Sequence, residues 1–341
     1  MTVGMIAMTV FLGCYTNDAN TNGLYALDFD VASGAMVVAA AYPVPMAIYQ
    51  ALSPDGKVLY SCRRGGVASF GVDGAKLSPI DTRDVGGTPC HVSVMPDGRQ
   101  VNWADYSNGR AGFVASADGK FGEGRDYAHS GSGPNLPRQN KAHCHQAIPA
   151  PDGRSFCVVD LGIDEIVTYP EGRIFRTEPA GAGPRHMIFH PGGKLAFVAF
   201  ELKNLVASYR VGEGISFSML DQKHSLHSDD TGRGYDGDLA AAIRFSPDLR
   251  RVIVSNRGEN SLVAYDYDPD TGRLSSAARS LLPGSWPRDF IFVNGNTALA
   301  AMERTGEVLA LRYDAATGRF AVIGAIGGFF RPVALLAAPG A

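Results

Sequence analysis

Residues 183–204 read GPRHMIFHPGGKLAFVAFELKN. Arg185 and His186 stand just before one apolar run, and Glu201 closes the next. Each of these residue types does a particular kind of chemistry. Guanidinium is a planar fork of N–H donors suited to a carboxylate, a phosphate or a developing oxyanion. Imidazole exchanges a proton near neutrality. A glutamate can take up a proton or hold cations in place. Similar groups recur elsewhere: His143 and His145 in AHCHQ, Arg257 in SNRG, Arg288 in WPRDF, and Arg138 with Gln139 in LPRQN. Converging on one cavity, they would bind an anion, polarise a carbonyl and move a proton.

Five segments show how such residues can converge. ALSPDGKVLYSCRR (51–64), VSVMPDGRQVNWADY (92–106), AIPAPDGRSFCVVDL (147–161), MIFHPGGKLAFVAFE (187–201) and IRFSPDLRRVIVSNR (243–257) each pair two short apolar runs around a proline turn. The turn prolines stand at 54, 96, 151, 191 and 247. A repeat of this size, made of β-length runs rich in Val, Phe and Ile, is the signature of propeller blades. FIFVNGNTALAAME (290–303) is a sixth, degenerate copy. The chain ends supply a seventh: MIAMTVFLGCY and GLYALDFD lack an inner strand, and RPVALLAAP (331–339) is one with nothing after it. The expectation is therefore all-β: one domain over 1–341, a seven-bladed β-propeller of four-stranded antiparallel blades, its ring closed by pairing of the terminal segments. A two-sheet β-sandwich would explain the strands but not the period. The hairpins GLYALDFDVASGAM, SLVAYDYDPDTGRL and VLALRYDAATGRF form the outer halves of blades, with turn chemistry supplied by residues such as Pro269, Asp270 and Gly272.

Counting from each turn proline locates a face. Six residues before it stand Ile48, Cys90, His145, Arg185 and Ala241; nine after it stand Arg63, Asp105, Asp160, Phe200 and Asn256; ten after it stand Arg64, Tyr106, Leu161, Glu201 and Arg257. These positions lie at the end of the blades away from the proline turns, near the axis. The degenerate copy adds Arg288, Glu303 and Arg304. Five strand residues at ~3.3 Å rise put about 16 Å between this mouth and the turns. His190, beside a turn, is excluded and reads as a packing residue. Insertions at 118–141 and 223–238 read as rim loops. From the first, Arg138 and Gln139 could reach a ligand or simply be solvated; His224 and His227 in the second read as exposed.

Bulk composition narrows the function classes. With 341 residues, 31 Lys and Arg against 34 Asp and Glu, and a net charge of −3, the chain has no general electrostatic pull toward nucleic acid or an anionic membrane. Five scattered cysteines without a CxxC read as reduced thiols. The apolar start lacks a basic leader region and is too short to span a bilayer. Together these point to the cytoplasm. No dinucleotide fingerprint, phosphate loop or nucleophile elbow is present, and no cofactor is expected. His143 and His145 could contribute to a zinc site, but no further ligands stand at the usual spacings, so no metal is expected.

The stretches GSGPNLPRQNKAHCHQ (131–146), DLGIDEIVTY (160–169), GAGPRHMIFHPGGKLAFVAFEL (181–202) and IRFSPDLRRVIVSNRGENSLVAYD (243–266) resemble the lactonase family of seven-bladed propellers, which includes 6-phosphogluconolactonases and 3-carboxy-cis,cis-muconate cyclases. The resemblance implies a site of His145, Arg185, Glu201 and Arg257, the residues that the counting selected. His143, His186, Arg288, Arg138, Gln139 and Asp160 are the expected substrate contacts. The last copy departs from the family pattern at AMERTGE, where Glu303 and Arg304 alter one wall. The implied reaction is hydrolysis of an acidic or phosphorylated sugar lactone, with Glu201 or His145 as base and Arg185 and Arg257 as electrostatic clamp. The alternatives are a lactone-forming cycloisomerase and a non-enzymatic binding propeller.

Overall fold

The computed structural model describes residues 7–226 and 238–338. These fold into seven antiparallel sheets of four strands. Blade one takes its inner strand, Pro332–Ala337, from the C-terminal end and its other three, Ala7–Cys14, Leu24–Asp30 and Met36–Tyr42, from the N-terminal end. Blades two to seven follow in chain order, beginning with inner strands Gln50–Leu52, His91–Val94, Cys144–Pro149, Pro184–Phe189, Leu239–Phe245 and Pro287–Phe292. Each inner strand packs against the next, and Pro332–Ala337 contacts both Pro287–Phe292 and Gln50–Leu52, which closes the ring. The sandwich alternative is excluded, and pairing of the termini is as expected.

The hydrophobic interior is divided among seven clusters, each lying between neighbouring blades. Cys157, Val159 and Ile166 of blade four meet Met187, Val198 and Phe200 of blade five. Leu299 and Val308 of blade seven meet Val10, Leu27 and Phe29 of blade one. The second strands are thus sandwiched on both faces, and Leu195–Phe200 is buried along its whole length. The outer strand Ser216–His224 has water on one side and is largely exposed. Continuous apolar runs on second strands and polar alternation on outer strands follow from this arrangement.

Two expectations need adjustment. The 118–141 insertion is not all rim loop: Lys120–Ala128 is the outer strand of blade three, and only the segment after it bridges to blade four. In the second insertion, His224 ends the outer strand of blade five and is exposed, while His227 lies outside the described residues. His190 accepts a hydrogen bond from the Gly192 amide in its turn, at 3.0 Å, as a packing residue should. No helix among the described residues is long and apolar enough to cross a membrane.

Candidate active site

One backbone feature explains why residues six before the turn proline reach the axis. At the head of an inner strand the pairing skips a residue: Cys144 and Gln146 pair with Asp160 and Val159, leaving out His145. The same shift leaves out Arg185 between Pro184 and His186, Arg288 between Pro287 and Asp289, and Val333 between Pro332 and Ala334. A β-bulge bends the strand and re-aims the unpaired side chain. Here it turns His145 and Arg288 into a cavity of about 850 Å³, and Arg185 and Val333 into its narrow continuation below.

Glu201 is the electrostatic centre. It is only 3% exposed, yet its carboxylate faces three guanidinium groups from three places in the chain. Arg185 Nε lies 3.0 Å from Oε2, off the line of a hydrogen bond; Arg257 NH2 is 2.8 Å from the same oxygen, and Arg138 NH2 donates to Oε1 at 2.5 Å. Burial alone would favour the neutral acid, but Arg257, Arg185 and Arg138 outweigh it and hold the carboxyl well below the usual range. Glu201 is therefore a fixed anion that orders cations and a poor proton acceptor. The Arg185 and Arg257 heads also donate to the carbonyls of Ala241 and Ala240, at 2.9 and 2.8 Å.

A second set forms the opposite wall. Glu303 accepts from Arg288 at 3.0 Å and from Arg331 Nε at 3.0 Å. Tyr15 lies beneath both of these guanidiniums, 5.5 and 4.3 Å from its ring centre. Arg304 lies 3.3 Å from the ring centre of Trp286, and Arg257 is 5.7 Å from the same ring. In all, Arg64, Arg138, Arg257, Arg288, Arg304 and Arg331 line the cavity, with Glu201 and Glu303 as its carboxylates. Both carboxylates are saturated by arginine, and neither Arg64 nor Arg304 pairs with an acid among the described residues. The cavity carries surplus positive charge in partly dehydrated surroundings, where electrostatic attraction is stronger than in water.

His145 is buried at the cavity floor. Its Nδ1 has no partner. Desolvation, then the charge on Arg185, pushes its proton affinity well below that of free imidazole, so the ring is neutral around pH 7. His186 touches it at 5.3 Å between ring centres and is held neutral for the same reasons. Cys90 also lines the cavity, but burial pushes its thiol up to about 11, which argues against a thiolate nucleophile.

The geometry thus gathers His145, Arg185, Glu201, Arg257, Arg288 and Arg138. It places the other expected contacts elsewhere. Asp160 is fully buried within blade four: Oδ1 accepts the amides of His143 and Gly162 at 2.7 and 2.8 Å, and Oδ2 is 2.8 Å from His129 Nδ1. Gln139 braces the rim loop, donating to the Leu161 carbonyl at 2.8 Å and accepting from the Asn135 amide at 3.1 Å. His143 donates from Nδ1 to the Tyr106 carbonyl at 2.8 Å and stacks on the Tyr106 ring. His186 lines only the narrow lower extension. His143 and His145 therefore form no paired ligand set. His129, Cys144 and Asp160 do bring three ligand-type atoms within 4.8 Å, but all three are spent on one another, with Cys144 Sγ donating to Asp160 at 3.4 Å. Met46, Tyr15, Trp286 and Arg331 line the cavity and were not anticipated. WPR repeating the form of GPR was the one available signal for Trp286.

Residues 9–328 match the family model described as lactonase, 7-bladed beta-propeller. The chain belongs to that family. It is 32% identical over 334 residues to the 6-phosphogluconolactonase of Bacillus subtilis, covering 92% of this chain and 93% of the relative. Among solved structures it is similar to a protein from Lactobacillus plantarum, with a TM-score of 0.88 at 28% identity, covering 97% of this chain and 99% of the other. It is similar also to the periplasmic gluconolactonase of Pseudomonas aeruginosa, with a TM-score of 0.88 at 24% identity, covering 98% and 100%. Lactone-hydrolase chemistry at the family level and a small-molecule lactone as ligand follow from this membership. The cytoplasmic expectation does not stand, because the same fold serves a periplasmic protein. The thiols that suggested it are a poor guide to compartment: Cys14, Cys62, Cys144 and Cys157 are buried, and burial shields an unpaired thiol wherever the protein resides.

Proposed function

We propose that the cavity hydrolyses a lactone of an acidic or phosphorylated sugar. The observation that carries this reading is the charge of the walls: six arginines line the cavity against two glutamates already engaged by arginine. A neutral sugar lactone would leave that charge unanswered, whereas a carboxylate or phosphate on the substrate satisfies it.

In this reading a water attacks the lactone carbonyl carbon while His145 removes its proton. Arg257 and Arg288 stabilise the oxyanion that develops. The ring C–O bond then breaks, and imidazolium returns its proton to the leaving alkoxide, giving the open hydroxy acid. Glu201 does not exchange protons; it fixes Arg257 and Arg138 in place. A bound anion also offsets the field of the arginines at His145, which raises its basicity when the substrate is present. Buried, strongly shifted ionisable groups in one concavity support an enzyme over a protein-binding propeller.

The test is a panel of neutral, carboxylated and phosphorylated sugar lactones, followed by proton release. The expected result is faster opening of the anionic lactones than of the neutral one, lost on truncation of Arg257. Equal rates for neutral and anionic lactones, or full activity in both Arg185→Ala and Glu201→Ala, would reject the assignment.

A further inference from the structure

A second backbone device sits two residues before the bulge. There Gly183, Trp286 and Arg331 take left-handed φ values of 64°, 75° and 50°, each directly ahead of a proline; Met46, at 62°, holds the same offset from Ile48. The carbonyls of Gly183, Trp286 and Arg331 accept the amides of Glu201, Glu303 and Tyr15 at 2.8, 3.0 and 3.1 Å. That bond pins the end of the second strand or the segment following it, and it uses no side chain. Glycine is sufficient for it, as blade five shows.

Three blades nevertheless carry large side chains at this place. In left-handed backbone a Cβ crowds the following carbonyl, and a following proline pushes its predecessor toward extended backbone. Trp286 and Arg331 are held against both preferences. All three large side chains line the 850 Å³ cavity. Two other bulky left-handed residues, Ile215 and Leu249, lie in a blade-to-blade core and a proline turn, and share neither the place nor the cavity. Strained backbone that recurs at one structural position, always with its side chain in the pocket, fits selection for contact with a ligand.

We propose that Met46, Trp286 and Arg331 are the substrate-selecting residues of this pocket. Met46 supplies an apolar wall beside Ile48 for the C–H face of a sugar. Trp286 is a positioning residue that holds Arg304 over the cavity and abuts Arg257. Arg331, sharing Glu303 with Arg288, completes the cationic wall. The ligand that fits is a short polyhydroxylated chain or ring with a carboxylate or phosphate. This rests on the cavity being an anion pocket, and it does not rest on hydrolysis.

The experiment compares wild type with Met46→Gly, Trp286→Gly, Trp286→Phe and Arg331→Gly. Thermal midpoints are measured, together with calorimetric binding of 6-phosphogluconate, glucuronate and inorganic phosphate, and turnover of 6-phosphogluconolactone. Met46→Gly and Arg331→Gly should remain folded at the assay temperature, relief of backbone strain offsetting part of the lost packing on the blade-two core and the lost pairing with Glu303, while losing about tenfold or more in affinity for the tightest-binding anion. Trp286→Phe should recover part of what Trp286→Gly loses. If Trp286→Gly does not fold, the Met46 and Arg331 variants decide the matter. Glycine variants that bind as wild type does overturn the proposal. Wild type that binds none of the three anions overturns it together with the anion-pocket reading. Wild type that binds an anion but opens no lactone removes the hydrolase reading alone, and the binding comparison still tests the three residues.

Discussion

Glu201 and His145 both stood as candidate bases in the sequence, histidine the better placed near neutrality, and their surroundings separate them further. Three arginines keep Glu201 ionised and weakly basic, whereas His145 is neutral with an unpaired ring nitrogen. Glu201→Gln should therefore act as a lesion of structure and binding together. Removing one member of a buried ion-pair set leaves Arg185 and Arg257 uncompensated, which costs about 3–5 kcal/mol; urea denaturation should show a loss of that size. His145→Asn should leave the unfolding midpoint nearly unchanged while lowering kcat by roughly 10²–10⁴-fold, the usual contribution of a general base. Because the imidazole's proton affinity lies well below its ordinary value, wild-type kcat/KM should be flat through neutrality and fall only in acid. A profile with a midpoint near the ordinary histidine value would assign the proton step to another group. The misplaced Asp160 has a physical reason. Residues nine and ten after the turn proline are neighbours, and strand alternation sends them opposite ways. Position ten faces the cavity as Tyr106, Glu201 and Arg257, while position nine turns inward. There Asp105 caps the turn by accepting the Ser107 amide at 2.9 Å, as Asp160 does for Gly162. Counting fixes the height of a residue along the axis, but not which way it points.

The strands and proline turns were legible because local chemistry dictates them. In four turns the left-handed place is taken by glycine, at Gly56, Gly98, Gly153 and Gly193, with φ between 68° and 74°. Blade six forces Leu249 into the same conformation at 56°, with its amide still closing the turn on Ser246 at 2.9 Å. A side chain in left-handed backbone costs about 1–2 kcal/mol, and the extra freedom of glycine in the unfolded chain returns part of that. Leu249→Gly should raise stability by about 1 kcal/mol, read as an upward shift of the urea midpoint; a downward shift would show that Leu249 earns its place by packing. The bulges were not legible. They require tertiary pairing between strands whose register no local pattern records, yet they are what aim His145, Arg185 and Arg288 at the axis. The rim loop was half legible: Arg138 reaches Glu201, whereas its neighbour Gln139 folds back to satisfy the loop's own backbone.

At the scale of the molecule, ring closure brings the inner strands together and concentrates buried ionisable groups along the axis. There the His186 ring lies between those of His91 and His145, 5.7 and 5.3 Å from their centres, and burial drives all three toward the neutral form, His91 down to about 3. Their unfolded counterparts bind protons below about pH 6.5. The unfolded state then holds more protons than the folded one, so stability falls as pH drops below that value. Glu201 and Glu303, whose carboxyl pKa values the arginines lower, add a loss of the same sign at lower pH. Thermal midpoints should be level above about pH 7 and decline steadily through pH 6 and 5; a midpoint that held or rose into acid would contradict the buried-histidine axis. The fold was read correctly from its period, but the compartment was not: four of the five thiols are buried, and a buried thiol carries no information about the redox environment. The most direct measurement of the central claim is to incubate the protein with an anionic sugar lactone in ¹⁸O-labelled water and weigh the product. Hydrolysis in the arginine-lined cavity predicts an open hydroxy acid carrying one heavy oxygen in its carboxylate, formed by wild type and not by Arg257→Met. An unlabelled isomer, or no product from any anionic lactone, would contradict it.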